Sequence, residues 1–450
     1  MTLTSCDSRI AICVAGALAL AVGVAHAQTT KGSYPIDLPT ALRLAGAQSL
    51  DIQIARQAVD EANANRLTAI EQFFPWLAVG AAYHRRDGFA QAVPAGTVSK
   101  THFESYAPGG TLAAQVVLGD AIYNTLAARQ LVRASDQALE AQRQDSTLRA
   151  ANGYLDLAKA KALVEVARQA LETSQDYQRQ LHEAVAVGVA FKGDELRVET
   201  QSGLYQISVR QALEQQRVAA ASLAQVLHLD PAVELVPQDP DLAPLALFEI
   251  NTSPEAVVQR ALGARPELKQ SQALVSAARE GRNGVLLGPL IPSVGAQAFV
   301  GGLGGGHDDE PSHFGASQDY LVGVSWRIGP GGLFDLGRID ASKARLAAVE
   351  LGEAKLRDAI TAEAVSTLTR AQSLFDQLEV ARRNLATASE TLDLTRRRKQ
   401  YGVGIVLEDI QAQQALNQAR AGYVTTVAEF NKAQYGLIRV VGGPLAPQQP

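Results

Sequence analysis

The sequence predicts a mixed α and β membrane protein of two structural repeats, each with two transmembrane β-strands and long coiled-coil-like helices. Three observations lead to this prediction. Residues 338–401 contain no proline and one glycine, and their apolar residues recur every seven positions, as in helices packed side by side. The same pattern occurs 214 positions earlier, so that Leu378 and Leu385 correspond to Val164 and Leu171. Four segments of about ten residues have the alternation and length of transmembrane strands.

Composition supports long helices and excludes one class of partner. Of the 450 residues only 5% are aromatic, which favours helix seams over a bulky globular core. The formal net charge of −5 is small and its signs are mixed along the chain. A nucleic-acid-binding protein would carry a strong basic excess, so we expect no nucleic-acid partner.

The first 27 residues are predicted to be a signal peptide. Arg9 precedes an apolar run over residues 10–24, and Ala25-His26-Ala27 fits a small-x-small cleavage site. The alternative is a retained membrane anchor, but the run is shorter than the ~20 residues of a spanning helix. Cys6 and Cys13 both lie in this segment, so the mature chain is expected to hold no thiol.

The remaining chain is divided into four parts, namely a first repeat over 28–230, a proline-rich linker or equatorial element over 231–253, a second repeat over 254–443 and a disordered tail over 444–450. The first repeat is predicted to start with a helix from Thr40 to about residue 72. Strands follow over 76–85 and 111–118, with a long loop over 87–110 between them. A proline-free segment then predicts a long helix, a turn near 188–193 and a returning helix.

The second repeat is predicted to contain the same elements in the same order. A helix over 254–285 leads to strands over 292–301 and 319–328, and the glycine-rich stretch 302–318 between them is expected to be a loop. A second long helix follows, with a turn at 402–404 and a returning helix to about residue 441.

The last predicted strand has the clearest alternation. Val322 and Val324 fall on one face, and Gly323 and Ser325 on the other. An apolar face and a polar face over about ten residues are typical of a strand in an outer-membrane β-barrel.

The two tryptophans lie near the ends of predicted strands. Trp76 begins the first strand and Trp326 nearly ends the fourth, so alternating strand directions would place both at one membrane interface as an aromatic girdle. Four strands cannot close a barrel, and an open edge in lipid leaves backbone groups unsatisfied. Several copies are therefore expected to share one barrel, and three copies would supply twelve strands above a cylinder of helices.

Three local motifs carry a resemblance to a known family. They are Arg265-Pro266-Glu267-Leu268, the Leu-Phe-Asp-Leu-Gly-Arg sequence at 333–338, and Tyr401-Gly402-Val403-Gly404 followed by Glu408. With the duplicated layout over 34–443, they resemble the TolC-like outer-membrane efflux protein family.

The resemblance implies a homotrimer with a twelve-stranded β-barrel in outer-membrane lipid and an α-helical tunnel in the periplasm. It implies the export duct of a tripartite efflux or type I secretion system, which conducts substrates passively across the periplasm and outer membrane. The expected partners are a periplasmic adaptor, or membrane fusion protein, and an inner-membrane pump. Whether that pump is of the RND, ABC or MFS type is left open, as is the exported substrate.

The helix turns supply the candidate functional residues. Adaptor contact at the periplasmic tip is expected from Gly188, Val189, Gly402, Val403 and Gly404. A candidate constriction there is formed by Asp194, Glu195, Glu408 and Asp409. In a threefold ring such acids would select cations or gate opening. The alternative is that they stabilise the N-termini of the returning helices.

No catalytic or cofactor-binding constellation stands out, so the chain is not expected to be an enzyme. The stretch 307–313 holds two histidines and three acids, but a solvated loop explains it better than a metal site. Two other functions stay open. A periplasmic coiled-coil adaptor or structural protein would need no pore, and it should lack the four alternating segments. A periplasmic enzyme or binding protein is opposed by the narrow helix seams.

Overall fold

The computed structural model describes residues 34–74, 76–91, 96–238, 242–307, 313–400 and 405–443. The predicted signal peptide, the C-terminal tail and the turn at 402–404 lie outside these residues.

Both repeats consist of short helices, a pair of strands and two long antiparallel helices. The first repeat contains β1 Tyr34–Ile36, α1 Leu38–Gln48, α2 Leu50–Glu71, β2 Trp76–Gln91, β3 Val98–Val117, α3 Leu118–Ala186 and α4 Lys192–Val226. The linker and second repeat contain β4 Leu235–Pro237, α5 Pro254–Ala264, α6 Pro266–Leu287, β5 Ser293–His307, β6 His313–Ser325, α7 Leu336–Gln400 and α8 Val406–Val440. α3 has 69 residues and α7 has 65, so each is about 100 Å long at ~1.5 Å per residue.

Each repeat begins with a capped short helix. The side chains of Asp37 and Ser253 accept hydrogen bonds from the backbone of Thr40 and Ala256, and a proline lies in the first turn of both helices. The prediction of a single helix from Thr40 is wrong in one respect. The backbone leaves the helical conformation at Ser49, and this break separates α1 from α2. Pro266 separates α5 from α6 in the corresponding place.

The seven-residue pattern of the long helices is buried as predicted. Leu157 of α3 and Ala371 of α7 are both fully buried, and so are Leu223 of α4 and Leu437 of α8. These pairs differ by the 214 positions of the repeat, so the two helix pairs use the same seam. Within the described parts of the chain, no helix is long and apolar enough to cross a lipid bilayer.

The long helices form a single layer. α3 packs along α4 on one side and along α8 on its other side, and α8 packs along α7. The order across the layer is therefore α4–α3–α8–α7. Nearer the sheet, α2 packs on α3, and α6 packs between α3 and α7.

The four long strands form one antiparallel sheet in the order β2–β3–β5–β6. They extend further from the helices than the sequence predicts. β2 and β3 pair continuously from Trp76 opposite Ala113 to Gln91 opposite Val98. The predicted loop over 87–110 is therefore wrong for all but its central residues, because cross-strand hydrogen bonds outweigh the turn preference of its glycines and prolines.

The glycine-rich loop prediction over 302–318 is wrong for the same reason. β5 continues to His307 and β6 begins at His313, with Gly302 opposite Ala316. At the other end β6 stops at Ser325, three residues earlier than predicted, and Gly329 and Gly331 then adopt positive φ in the turn toward α7.

The proline-rich linker is tied to the rest of the chain. β4 pairs in parallel with β1, so that Leu235 lies opposite Tyr34. Residues 242–250 then lie along the helix layer, where Leu242 and Phe248 pack against its apolar core. The linker therefore fastens the start of the first repeat to the middle of the long helices.

Candidate functional sites on the sheet and at the helix tip

The two faces of the sheet differ in chemistry, because residues directly opposite each other in neighbouring strands share a face. One face, here named the apolar face, is built mainly from Leu77, Val79, Ala81, Tyr83, Leu112, Ala114, Val116, Val294, Ala296, Ala298, Val300, Tyr320, Val322 and Val324. The opposite face, here named the polar face, is built mainly from Ala78, Gly80, His84, Thr111, Ala113, Gln115, Ser293, Gln297, Asp319, Gly323 and Ser325. The alternation predicted for the last strand thus continues across all four strands.

An aromatic row ends the apolar face on the side away from the helices. Tyr83, Tyr106, Gly304 and Phe314 lie opposite one another on the four strands. The rings of Tyr106 and Phe314 stack with centroids 6.0 Å apart across Gly304. A Cβ atom at Gly304 would lie 2.3 Å from the Tyr106 ring, so glycine is required for this stacking. Sequence reasoning missed this row because Tyr106 and Phe314 fell in predicted loops.

Charged pairs follow immediately beyond the aromatic row on the same face. Arg85 Nη1 donates to Glu104 Oε1 at 3.1 Å, and Arg85 Nε donates to Asp87 Oδ2 at 2.8 Å. His102 Nδ1 donates to Asp87 Oδ1 at 2.6 Å. The change from apolar to aromatic to charged side chains is the order found where a transmembrane strand leaves the hydrocarbon.

The two tryptophans lie at the helix end of the sheet but not on one face. Trp76 shares a row with Ala113, Gln297 and Leu321, which places it on the polar face. Trp326 follows β6, and its Nε1 donates to the carbonyl of Leu290 at 3.3 Å. The strand register does not support an aromatic girdle that includes both tryptophans. Their role at the membrane interface stays a prediction.

At the helix tip, the first-repeat turn exposes apolar side chains. Gly188 has φ +77°, a conformation that favours glycine, and it reverses the chain between α3 and α4. Val189 is 81% exposed beside it, and Val187 and Phe191 are also exposed. Gly402, Val403 and Gly404, the corresponding residues of the second repeat, lie outside the described residues.

Two of the four tip acids are buried. Glu195 accepts hydrogen bonds from His182 at 2.8 Å and from Lys192 at 2.6 Å. These bonds hold the pKa of the Glu195 carboxyl below its usual value. Asp409 is 3% exposed and accepts a hydrogen bond from Gln413 at 3.2 Å.

The buried acids adjoin a small apolar cluster formed by Tyr177, Leu181, Val198 and Ile410. Burial, and then the carboxylates of Asp409 and Asp194, raise the pKa of the Tyr177 phenol. This cluster joins the start of α8 to the far end of the first helix pair. The structure therefore connects the two helix pairs of one chain at their tips.

The other two tip acids are more accessible. Glu408 lies 3.4 Å from Arg398 and Asp194 lies 3.3 Å from Arg197, each as a partly exposed ion pair. Of the four candidate constriction residues, these two are the ones whose carboxylates can reach solvent or a neighbouring molecule.

Two buried arginines form ion pairs that link helices of both repeats, a role that the sequence analysis did not predict. Arg439 of α8 bonds both Glu267 of α6 and Asp145 of α3. Burial would raise the pKa of Glu267, but the hydrogen bond from Arg439 reverses this and lowers it. Arg265, from the motif at the start of α6, pairs with Glu267 and with Glu363 of α7. One network thus joins both repeats.

The linker is held to α8 by side-chain amides. Asn431 accepts a hydrogen bond from the backbone of Leu245 at 2.8 Å and donates to Ala243 at 2.8 Å. Gln434 accepts from the backbone of Leu247 and Phe248. Both amides are buried on α8. They bond backbone groups of the linker that would otherwise need partners in a neighbouring strand.

Comparison with known proteins gives a consistent result. Residues 257–443 match the family described as outer membrane efflux protein. No curated protein sequence matches the chain.

Several solved structures share the fold. A membrane protein from Pseudomonas aeruginosa has a TM-score of 0.76 at 18% identity, over 90% of both chains. The CmeC outer membrane channel of Campylobacter jejuni has a TM-score of 0.75 at 16% identity, over 90% of this chain and 85% of that one. The outer membrane protein VceC of Vibrio cholerae has a TM-score of 0.74 at 16% identity, over 91% of this chain and 96% of that one.

These comparisons fit the apolar face of the sheet and the two long helix pairs beneath it. The matched family and two of these structures, CmeC and VceC, are described as outer-membrane proteins. Residues 257–443 thus match the outer membrane efflux protein family, and the described chain as a whole has the fold of the compared outer-membrane channels.

Proposed function

We propose that three copies of this chain form the export duct of a tripartite efflux or type I secretion system. The duct conducts substrates passively, and an inner-membrane pump supplies the energy. The observation that carries this proposal is that one chain forms only an open arc, in the sheet and in the helix layer alike.

The sheet is open at both edges. Among the described residues, β2 and β6 each pair with a neighbour on one side only. A four-stranded sheet with an apolar face cannot remain open in lipid, because each unsatisfied backbone group costs several kcal/mol. Pairing β6 of one copy with β2 of the next removes both edges, and three copies give a twelve-stranded barrel with the polar face inside.

The helix layer ends in apolar surfaces that suit the same arrangement. α4 exposes Leu204, Ile207 and Val218, and α7 at the opposite edge exposes Leu351 and Phe375. Such side chains on the outer edges of a helix layer indicate contact with another protein surface. Packing α7 of one copy on α4 of the next would close the layer into a tunnel.

The lower helices offer a surface for an adaptor. A groove of about 500 Å³ runs between α7 and α8 and is lined by small side chains, including Ala388, Ala419 and Gly422. Small residues allow a partner helix to approach closely. With exposed Val189 and Phe191 at the tip, this groove supports docking of a helical hairpin from a periplasmic adaptor.

The trimer is tested with mature protein purified in detergent. Size-exclusion chromatography with light scattering is expected to show three copies per particle, and planar bilayers should show stable single-channel conductance. A folded, monodisperse monomer without conductance would contradict the proposal. A trimer that does not conduct would favour the structural role without a pore.

A further inference from the structure

We propose that five charged side chains at the middle of the long helices form a site on the duct wall that binds anionic groups of the cargo, with Arg370 as the residue that contacts them. The five, here named the charge belt, are Asp156, Lys159, Arg370, Glu429 and Lys432. This inference rests on the proposed ring of three copies. It adds a chemical class that one level of the duct selects.

The charge belt links three helices of one chain. Lys432 of α8 donates to Asp156 of α3 at 2.5 Å, and Lys159 Nζ of α3 donates to Glu429 of α8 at 3.4 Å. Glu429 also accepts a hydrogen bond from Arg370 of α7 at 3.1 Å. The belt therefore crosses the helix layer from α3 over α8 to α7.

The linker marks the outer face of the helix layer. Lys161 Nζ on α3 donates to the carbonyl of Pro237 at 2.8 Å, and Gln372 Nε2 on α7 donates to that of Ile250 at 3.1 Å. Asn431 of α8 bonds the linker on the same face. Because a duct must stay open along its length, the face that carries the linker is the outer face of the proposed ring.

The charge belt lies on the opposite face. Lys159, Arg370 and Glu429 each lie two positions before one of these linker-binding residues on the same helix. Two positions turn an α-helix by about 200°, so the three side chains project away from the linker. In the proposed ring they face the interior.

The charge belt holds one more cation than it holds anions. Its three cations and two carboxylates give each copy one net positive charge, and a ring of three copies has three. The side chains of Lys159 and Lys432 are mostly covered, whereas that of Arg370 is 68% exposed. Arg370 bonds Glu429 through Nη2, and a guanidinium has further N–H groups that can bond a carboxylate or a phosphate.

Both carboxylates of the charge belt stay ionised at neutral pH. Burial would raise the pKa of Glu429, but hydrogen bonds from Lys432 and Lys159 lower it. Burial is likewise outweighed at Asp156, whose pKa is lowered by hydrogen bonds from the same two lysines. The two lysines are therefore matched by two carboxylates, and the remaining positive charge is that of Arg370.

Arg370 is separated from other unpaired charges on its face of α7. The residues three, seven and eleven positions toward the tip are Ser373, Gln377 and Ala381. Glu363, seven positions toward the sheet, is bonded to the buried Arg265. An anionic group that passes this level therefore meets a guanidinium whose attraction is little offset by its neighbours along α7.

The first test measures ion selectivity in planar bilayers from the reversal potential in a salt gradient. Arg370→Gln should shift selectivity toward cations relative to the natural protein, and Arg370→Lys should shift it less because the charge is kept. The matched control is Arg383→Gln. It removes the same charge from α7 eleven positions after Gln372, which is about three turns and thus on the linker side, and should change selectivity little.

The second test uses inorganic triphosphate as the anionic probe, added on the side of the helix tip. The concentration that halves the current should rise several-fold in Arg370→Gln and stay unchanged in Arg383→Gln. Gln377→Arg places a second cation on the same face of α7 and leaves the ion pairs of the charge belt in place. This variant should lower the concentration that halves the current, and it decides the question if Arg370→Gln fails to assemble.

The outcomes separate this inference from the proposed duct. A conducting trimer whose reversal potential and triphosphate block are unchanged by Arg370→Gln and Gln377→Arg overturns the anion site and leaves the duct intact. An equal effect of Arg383→Gln overturns it as well, because the charge would then act from either face. A monomer, or a trimer that does not conduct, overturns the proposed duct itself.

Discussion

At the scale of single residues, the tip acids divide by their surroundings. Glu195 and Asp409 are buried and hydrogen-bonded inside their own chain, whereas Glu408 and Asp194 form partly exposed pairs with arginines. A carboxylate in the first turn of a helix also interacts favourably with the helix dipole. Burial therefore favours a stabilising role for Glu195 and Asp409, and leaves Glu408 as the best candidate of the second repeat to face the duct.

Glu195 should make the tip of the first helix pair sensitive to acid. Its pKa is lowered from the usual 4.5 by hydrogen bonds from His182 and Lys192. The carboxylate therefore contributes stability that is present above its unfolded pKa and lost as the pH falls through the folded pKa. We expect Glu195→Gln to increase hydrogen exchange near the turn at pH 7, relative to the natural protein.

This difference should shrink as the pH falls through the lowered pKa of Glu195, since both proteins then carry a neutral side chain. Exposed Glu199 on the same helix supplies the control, and Glu199→Gln should change exchange little at either pH. An effect of Glu195→Gln that is as large well below the pKa of Glu195 as it is at pH 7 would contradict the assignment.

At the scale of elements, the strands show how a weak local pattern becomes a definite structure. β5 carries many glycines, and aromatic rings from β5 itself and from β6 lie over several glycines of the sheet, on both faces. Phe299 lies over Gly109 and Gly301 on the polar face, and Phe314 lies over Gly302 on the apolar face. The rings supply the packing surface that the glycines lack, and the absence of Cβ atoms lets the rings lie flat.

The phase of β6 predicts opposite responses to charge on its two faces. Val324→Asp places a carboxylate on the apolar face, where lipid cannot solvate the charge, at a cost that for a basic side chain rises from about 0–1 kcal/mol near the interface to about 2–4 kcal/mol at mid-depth and is smaller for an acid. Ser325→Asp places it on the polar face, where water can solvate it. We expect the first variant to lower the outer-membrane yield of folded protein several-fold more than the second. Equal yields, measured on unheated gels, would contradict this assignment of the faces.

At the scale of the whole molecule, conduction should depend on the accessible acids rather than on the buried ones. In planar bilayers, Glu408→Gln is expected to reduce the preference for cations, because three copies would remove three charges from one level of the duct. Asp409→Asn should instead loosen the packing of Ile410 and Tyr177, and so alter the frequency of opening. Unchanged conductance and selectivity in both variants would show that neither acid lines the constriction.

The sequence predicted the repeated architecture because a period of seven and an offset of 214 are carried by many residues at once. It did not predict the full strand lengths, since Pro108 and the glycines of β5 look like loop residues until Tyr106, Phe299 and Phe314 are placed beside them. The burial of Asp409 could not be predicted either, because it depends on how the start of α8 meets α3. The paired amides that hold the linker had no local signal at all.

The open edges of the sheet also set the order of biogenesis. A single chain that has crossed the inner membrane carries two unpaired strand edges and an apolar face, which makes it prone to pair with unrelated strands. It cannot enter lipid alone, since the bilayer offers no hydrogen bonds to those edges. In the proposed ring of three copies, association must therefore precede or accompany insertion into lipid. The amount inserted should rise more steeply than linearly with the concentration of chains in transit.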